Sequence, residues 1–353
     1  MSAARVNATT DAASQDWRSD VDREDAARPS GDDLRRAREP GRGRNADGPA
    51  AIPAEGWRDI LWRVAYAVPD DRVLATAGSV AFFALLAVFP AVAVVVSLYG
   101  IFADVRTIGG HLAILAGILP DGILDLIRDQ VAAITSKETK TLSVAFLIGF
   151  GTALWSANSG VGAMFDALNV VYGETEKRSI LRFYATTFLF TVGAALFVVL
   201  AIGAVVVLPL VLAFVGVPLP AEIVISVLRW PMLLVVVMLG LAAIYRFGPS
   251  RRTADWRWVS VGSVAAALLW IGASMAFSWY VASFDSYNKV YGSLGAGVGF
   301  MVWIWVSVVI VLLGAELNAE MEHQTARDTT TGPEKPLGAR GATMADHVGA
   351  AQA

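Results

Sequence analysis

The residues of this chain best suited to chemistry interrupt stretches that are otherwise apolar. Trp155, Asn158, Ser159, Gly162, Asp166 and Asn169 recur at steps of three or four, which places them on one stripe of a helix. Such a stripe either faces a water-filled or headgroup-sized cavity, with Asp166 available to a cation or proton, or supplies helix-to-helix hydrogen bonds through Asn158 and Ser159. Arg229 stands about six residues, or roughly 9 Å of helix, inside another apolar run. Pro231 follows it closely. A buried arginine can snorkel to the surface, pair with Glu222 or Asp285, or draw a phosphate or carboxylate inward. Asn158, Asp166, Asn169 and Arg229 are therefore the candidates for a cavity or substrate-binding site.

A second group gathers near the end of the last apolar run. Glu316 and Glu320 are one helical turn apart, with Asn318 between them, and Arg178, Arg182 and Arg246 in the preceding loops are natural counter-charges. Read plainly, this is a surface ion-pair network worth about 0–1 kcal/mol per exposed pair. Read more sharply, Arg182, Glu316, Asn318 and Glu320 form a gate at the inner mouth of a bundle. An enzyme would need more. The chain has no cysteine, its three histidines (His111, His323, His347) lack ligand-spaced partners, and no phosphate-binding GxxxxGK[ST] loop is present. Adjacent Glu320, Glu322 and His323 on a fraying helix end are weak metal ligands. No catalytic residue, metal or cofactor is expected, and the chain is not expected to be an enzyme.

The elements that must position these residues follow from composition. Hydrophobic residues make up 56 % of the 353 and charged residues 17 %, with a mean hydropathy of +0.56. Soluble proteins average about 45–50 % apolar and about 25 % charged. Of the charged residues, 26 fall within the first 72, so the rest of the chain is too poor in charge to cover itself for water. Lipid requires no such cover. The net charge of −3 gives no reason to expect nucleic acid, which basic surfaces bind.

A membrane helix needs about 20 apolar residues. Uncharged runs predict six crossings, at about 74–102, 142–165, 183–208, 223–245, 258–283 and 294–315. Pro209, Pro218 and Pro220 divide an uncharged stretch too long for one crossing. Basic residues mark the cytoplasmic side. Arg58, Arg63 and Arg72 precede the first span, Lys177, Arg178 and Arg182 lie between the second and third, and Arg246, Arg251, Arg252 and Arg257 lie between the fourth and fifth. Arg327, Lys335 and Arg340 follow the last. Both termini are then cytoplasmic.

The first 55 residues form a low-complexity polyampholyte expected to lack structure, as are residues 323–353. Between tail and first span, Trp57, Ile60, Leu61, Val64 and Val68 share a helical face opposite Arg58, Asp59 and Arg63. This predicts an interfacial helix turned into the first span at Pro69. Ile123, Ile127, Val131 and Ile134, following Asp121, predict an amphipathic helix in the outer loop. Gly295 and Gly299 form a small-xxx-small pair suited to close helix packing. A re-entrant backbone near Tyr287, Asn288 and Tyr291 is the alternative. The fold expected is all-α: a polytopic membrane domain at 56–322 between two unstructured tails.

Three stretches carry a resemblance that composition alone does not: AGSVAFFALLAVFPAVAVVVS around Pro90, LWSANSGVGAMFDALNVVYGETEKRSILRFYATTFLFT, and YNKVYGSLGAGVGFMVWIWVSVVIVLLGAELNAEME. Their order and spacing resemble the YihY/BrkB family of bacterial inner-membrane proteins, over about Gly56 to Glu322. The resemblance implies six helices in the cytoplasmic membrane and a role in envelope integrity and serum resistance, with lipid handling among the suggestions. The family has also carried a tRNA-processing ribonuclease label, for which the residues here provide no water-filled catalytic cleft. A transporter or lipid-translocating protein is thus expected first, and a non-transporting scaffold for envelope machinery second. Membrane lipid, a small-molecule or lipid substrate and a second copy of the chain are the partners in view.

Overall fold

The computed structural model describes residues 29–102, 139–202, 219–283 and 285–352. Its elements are α1 (Gly31–Arg36), a 3₁₀ turn at Pro49–Ala51, α2 (Ala54–Asp70), α3 (Val73–Phe102), α4 (Thr139–Val171), α5 (Ile180–Ile202), α6 (Leu219–Phe247), α7 (Trp256–Ser283), α8 (Asp285–Gln324) and α9 (Thr343–Asp346). Among the described residues there is no named strand, only an isolated bridge between Ala254 and Thr330. The expected outer-loop helix and the stretch around Pro209 lie outside the described residues.

Helices α3 to α8 carry apolar residues on every side along most of their length, as helices solvated by lipid do. Among the described residues, four segments are long and apolar enough to cross a membrane: Ile180–Val198, Trp230–Phe247, Trp256–Tyr280 and Gly297–Gln324. Val73–Ala87 is a shorter apolar helix. Their outer faces leave Leu181, Leu189, Leu228, Leu239, Met275 and Trp279 exposed, an arrangement stable against hydrocarbon and costly against water.

At 40 residues α8 is twice the length a bilayer requires, and it packs against α2, α3, α4, α7 and α9. It is helical from Asp285, so the stretch near Tyr287, Asn288 and Tyr291 is not a re-entrant break. A Cβ added to Gly299 would meet nothing within 4 Å, so this glycine makes no close helix approach. That approach occurs at Gly262 of α7, where an added Cβ would collide with the Gly314 carbonyl oxygen. Asn318 Oδ1 accepts from the Gly262 N–H at 2.8 Å, and its Nδ2 donates to the Val259 carbonyl at 3.3 Å. Tyr245 of α6 donates to the Val311 carbonyl at 2.7 Å. The core lies at this end of the bundle, with Ala77 and Val80 of α3, Leu168 of α4, Tyr245 of α6, Val259 of α7 and Leu312 and Ala315 of α8.

Helix α2 differs from its expected form in two respects. It buries Gly56, Asp59, Ile60 and Arg63, so two of its charges point inward while Leu61, Trp62 and Tyr66 are exposed. It also runs through Pro69. The chain turns at Asp71 and Arg72, the latter with a left-handed φ of 52°. The tails expected to lack structure are ordered over 29–55 and 325–352, where they wrap the same end of the bundle. We call this assembly the clasp.

Gly262→Ala should lower the thermal midpoint of the detergent-solubilised protein, with an overpacking cost of about 1–3 kcal/mol. Gly272→Ala, on the same helix with nothing within 4 Å of the new methyl, should leave it unchanged or raise it. Equal effects from the two would mean that α7 and α8 do not touch where described.

Candidate functional site

Charge concentrates where α8 leaves the apolar core. Glu316, Asn318, Glu320, Glu322 and Gln324 are all buried, and buried carboxylates require counter-charges. Arg63 of α2 pairs with Glu320 and donates to Gln324 Oε1 at 2.6 Å and to the Glu320 carbonyl at 3.2 Å. Arg251, after the turn that ends α6, makes two 2.8 Å bonds to Glu322. Both side chains of that pair are 0 % exposed. The Arg251 guanidinium lies 4.1 Å from the Tyr172 ring centroid, and Thr329 donates to the same Glu322 at 3.0 Å.

The clasp is built on the same logic. Buried Arg44 donates to the Gln324 and Gly349 carbonyls at 3.1 and 2.8 Å and pairs with Glu39. Arg63 reaches the Ala350 carbonyl at 2.9 Å. Arg340 holds the carbonyls of Ala326, Arg327 and Ala345. Glu174 accepts from the Thr343 N–H at 2.7 Å, tying the C-terminal segment to the turn after α4. Arg42 makes two 2.7 Å bonds to Asp59. Burial of Asp59 works against its ionisation, but Arg42 and the Gln352 N–H outweigh it and hold the carboxyl below its ordinary range. In the loop after α4, Arg178 holds Glu176 at about 2.

The residues expected to form one cavity face different neighbours. Asn158 accepts from Thr191 of α5 at 3.4 Å. Asn169 is buried between two loops, accepting from the Ser250 N–H at 2.7 Å and donating to Glu176 at 3.2 Å. Asp166 is exposed on α4, as is Trp155 at 70 %. Arg229 sits on α6, its side chain outside the described residues. The expected gate comes together in part. Glu316, Asn318 and Glu320 are adjacent and buried, while Arg182 is exposed on α5. The other two expected partners are also engaged elsewhere: Arg178 with Glu176 and the Gly248 carbonyl, and Arg246 stacked 4.5 Å from the Trp256 ring centroid.

Arg63, Arg251 and Glu322 were missed as site residues, and the i,i+4 placement of Asp59 and Arg63 on α2 was a usable signal. His323 lies 3.4 Å from Glu320 and His347 3.1 Å from Asp33. His111 is outside the described residues.

Two predictions follow from these pairings. Arg251→Met strands a buried carboxylate and should cost about 3–5 kcal/mol, whereas adding Glu322→Leu should recover most of it; chemical unfolding of the three variants measures the difference. Asp33 accepts from Ser30 Oγ at 2.6 Å and from the Val348 N–H at 2.9 Å. Burial alone would raise its carboxyl, but these bonds and His347 hold it at about 2. A depressed acid stabilises above its unfolded pKa of about 4 and loses that stabilisation as pH falls toward 2, here on the order of 2 kcal/mol. The protection of the amides near Val348, taken relative to their intrinsic exchange rates, should therefore fall between about pH 4 and pH 2 in wild type, and already be low at pH 7 in Asp33→Asn.

Comparison with known proteins places these elements in one family. The Virulence factor BrkB model matches residues 64–338, from within α2 into the C-terminal part of the clasp. The ribonuclease-like protein YfkH of Bacillus subtilis is 32 % identical over 186 residues, covering 49 % of this chain and 65 % of the relative. A UPF0761 membrane protein of Rhodospirillum centenum is 28 % identical over 301 residues, covering 80 % of this chain and 62 % of the relative. The chain therefore spans just under two thirds of the length of these two. A UPF0761 membrane protein of Pseudoalteromonas translucida is 24 % identical over 265 residues, 74 % of this chain and 85 % of the relative. No solved structure matches. With most of its length covered by the family model and its apolar helices in place, the chain is a bacterial membrane protein belonging to the Virulence factor BrkB family.

Proposed function

We propose that the chain is a transporter or lipid-translocating protein of the inner membrane, supporting envelope integrity, whose charged end is a gate held closed by the clasp. One observation carries this reading: Glu316, Asn318, Glu320 and Glu322 are buried at the end of a bundle that is otherwise apolar. Apolar side chains of the same volume would make that end as stable or more so, so stability alone does not account for the charges. Ion pairs can part and re-form, which a gate needs and a fused apolar contact does not offer. Polar and ionisable groups within membrane bundles mark transport pathways for the same reason.

The helices α3 to α8 supply the six crossings of this reading. Lys177, Arg178, Arg251 and Arg252 lie at the same end as both terminal segments, which supports a cytoplasmic clasp. The activity in a relative's ribonuclease-like name is not carried over. His323 and His347 are engaged with Glu320 and Asp33 in the clasp, and the reading is non-enzymatic.

The test uses a strain lacking the protein, scored for envelope sensitivity to bile salt, together with purified protein in vesicles carrying a fluorescent phospholipid. The double variant Arg251→Met, Glu322→Leu should fold and insert yet fail to restore resistance. Deleting residues 1–28, which removes no contact described above, should leave resistance intact. The reverse pattern would identify a scaffold acting through its N-terminal segment.

A further inference from the structure

The gate contains one acid that its ion pairs do not serve. Glu316 is 0 % exposed, and neither of its carboxyl oxygens has a hydrogen-bond partner. The nearby cations are already engaged, Arg63 with Glu320 and Arg251 with Glu322. His323 also faces Glu320 rather than Glu316. What faces Glu316 from the turn between α2 and α3 is a second acid, Asp71, with Asp70 beside it and Glu320 one turn further along α8. From the turn after α4 comes Tyr172, itself 0 % exposed, whose hydroxyl lies within electrostatic reach of Glu316 and also lacks a partner.

Two ionised carboxylates in contact can only accept hydrogen bonds, and like charges so placed cannot both ionise at ordinary cost. A single proton removes both difficulties. It converts the Glu316 and Asp71 contact into an O–H to oxygen hydrogen bond and leaves one negative charge rather than two. We propose that Glu316 and Asp71, with the Tyr172 hydroxyl beside them, form a proton-binding site that makes protons the coupling or gating ion of this protein. Proton uptake is a simple association: one proton from solvent joins the dianionic pair to give a monoanion, with no other bond broken. Asp71 supplies the route, since it is only partly buried and lies on the turn between helices. Burial raises its carboxyl above the usual carboxylate range.

The identification of the proton as the ion of transport rests on the gate reading above, but proton binding does not, and the two are measured separately. Infrared difference spectra of the full-length protein in lipid nanodiscs, recorded across a pH titration, detect the C=O stretch of a protonated carboxyl. Wild type should show this band at neutral pH, and Glu316→Gln should lose it. Asp71→Asn removes the like charge and should shift its titration down by at least about one pH unit. A buried protonated acid also reacts with a hydrophobic carbodiimide, so peptide mapping of the wild type should find the N-acylurea at Glu316 and none at Glu320. This second readout needs no variant to fold. The proposal is overturned if no protonated band exists at neutral pH, if the band survives Glu316→Gln, or if Glu316 is not labelled. A band and label present in a protein that moves no phospholipid, and whose gate variants restore resistance, would sink the transporter reading and leave the proton site standing.

Discussion

Everything at the charged end of this protein depends on one constraint: a charge taken out of water must meet its counterpart. An uncompensated buried ion costs several kcal/mol, and α8 carries three acids into the interior within two turns. Two are compensated in full, Glu320 by Arg63 and Glu322 by Arg251, and these pairings fix the surrounding elements. Arg63 can reach Glu320 only if α2 lies with its charged face inward, and Arg251 can reach Glu322 only if the chain turns sharply after α6. The apolar helices fix the direction of the bundle. The ion pairs fix how its end is assembled.

The same constraint explains why the terminal segments are ordered. They bury little apolar surface, and Ile52, Ala342 and Val348 are among their few fully covered hydrophobic side chains. Their order comes instead from guanidinium groups holding main-chain carbonyls. Arg44 and Gly349, joined at 2.8 Å, are 305 positions apart in sequence, and Arg63 and Ala350 are 287 apart. Each arginine offers five donors in a fixed fork, so one side chain can satisfy an acid and several carbonyls together. That suits segments with only short helices of their own, many of whose backbone acceptors would otherwise lack donors.

Local and non-local physics divide what the sequence disclosed. The long helices were legible because apolar run length is a local property, and each of the six runs corresponds to a helix among α3 to α8. The clustering of Glu316, Asn318 and Glu320 was legible from helical spacing. Their partners were not. Arg63 was read as an outward charge because amphipathic patterning assigns charges to water, whereas here an acid 257 positions away draws it inward and leaves Leu61, Trp62 and Tyr66 outside. Residues 29–55 read as unstructured because composition registers low apolar content and is blind to an acceptor at the far end of the chain. The stripe of α4 was real as a spacing, but spacing cannot say that Asn158 meets Thr191 of α5 while Asn169 meets the loop at Ser250.

The position of Glu316 gives its unmatched charge mechanical significance. Helices α6, α7 and α8 are joined by the close approach at Gly262 and Gly314, by Asn318, by the bond from Tyr245 to Val311, and by Trp270 donating to Ser307 at 3.0 Å. Helices α3 and α4 form a second intimate pair, with Gly160 against Phe83 and Ala84. The seam between these groups is crossed within the helices by Trp305 donating to the Leu74 carbonyl at 2.9 Å, and beyond their ends by Asn169 and Arg178 bonding the chain after α6. Glu316 and Asp71 stand on opposite sides of that seam. Repulsion between two carboxylates there pushes the groups apart, and a shared proton draws them together, while contacts within each group are untouched. A proton at this position therefore acts across the contact between the α2–α3 turn and α8.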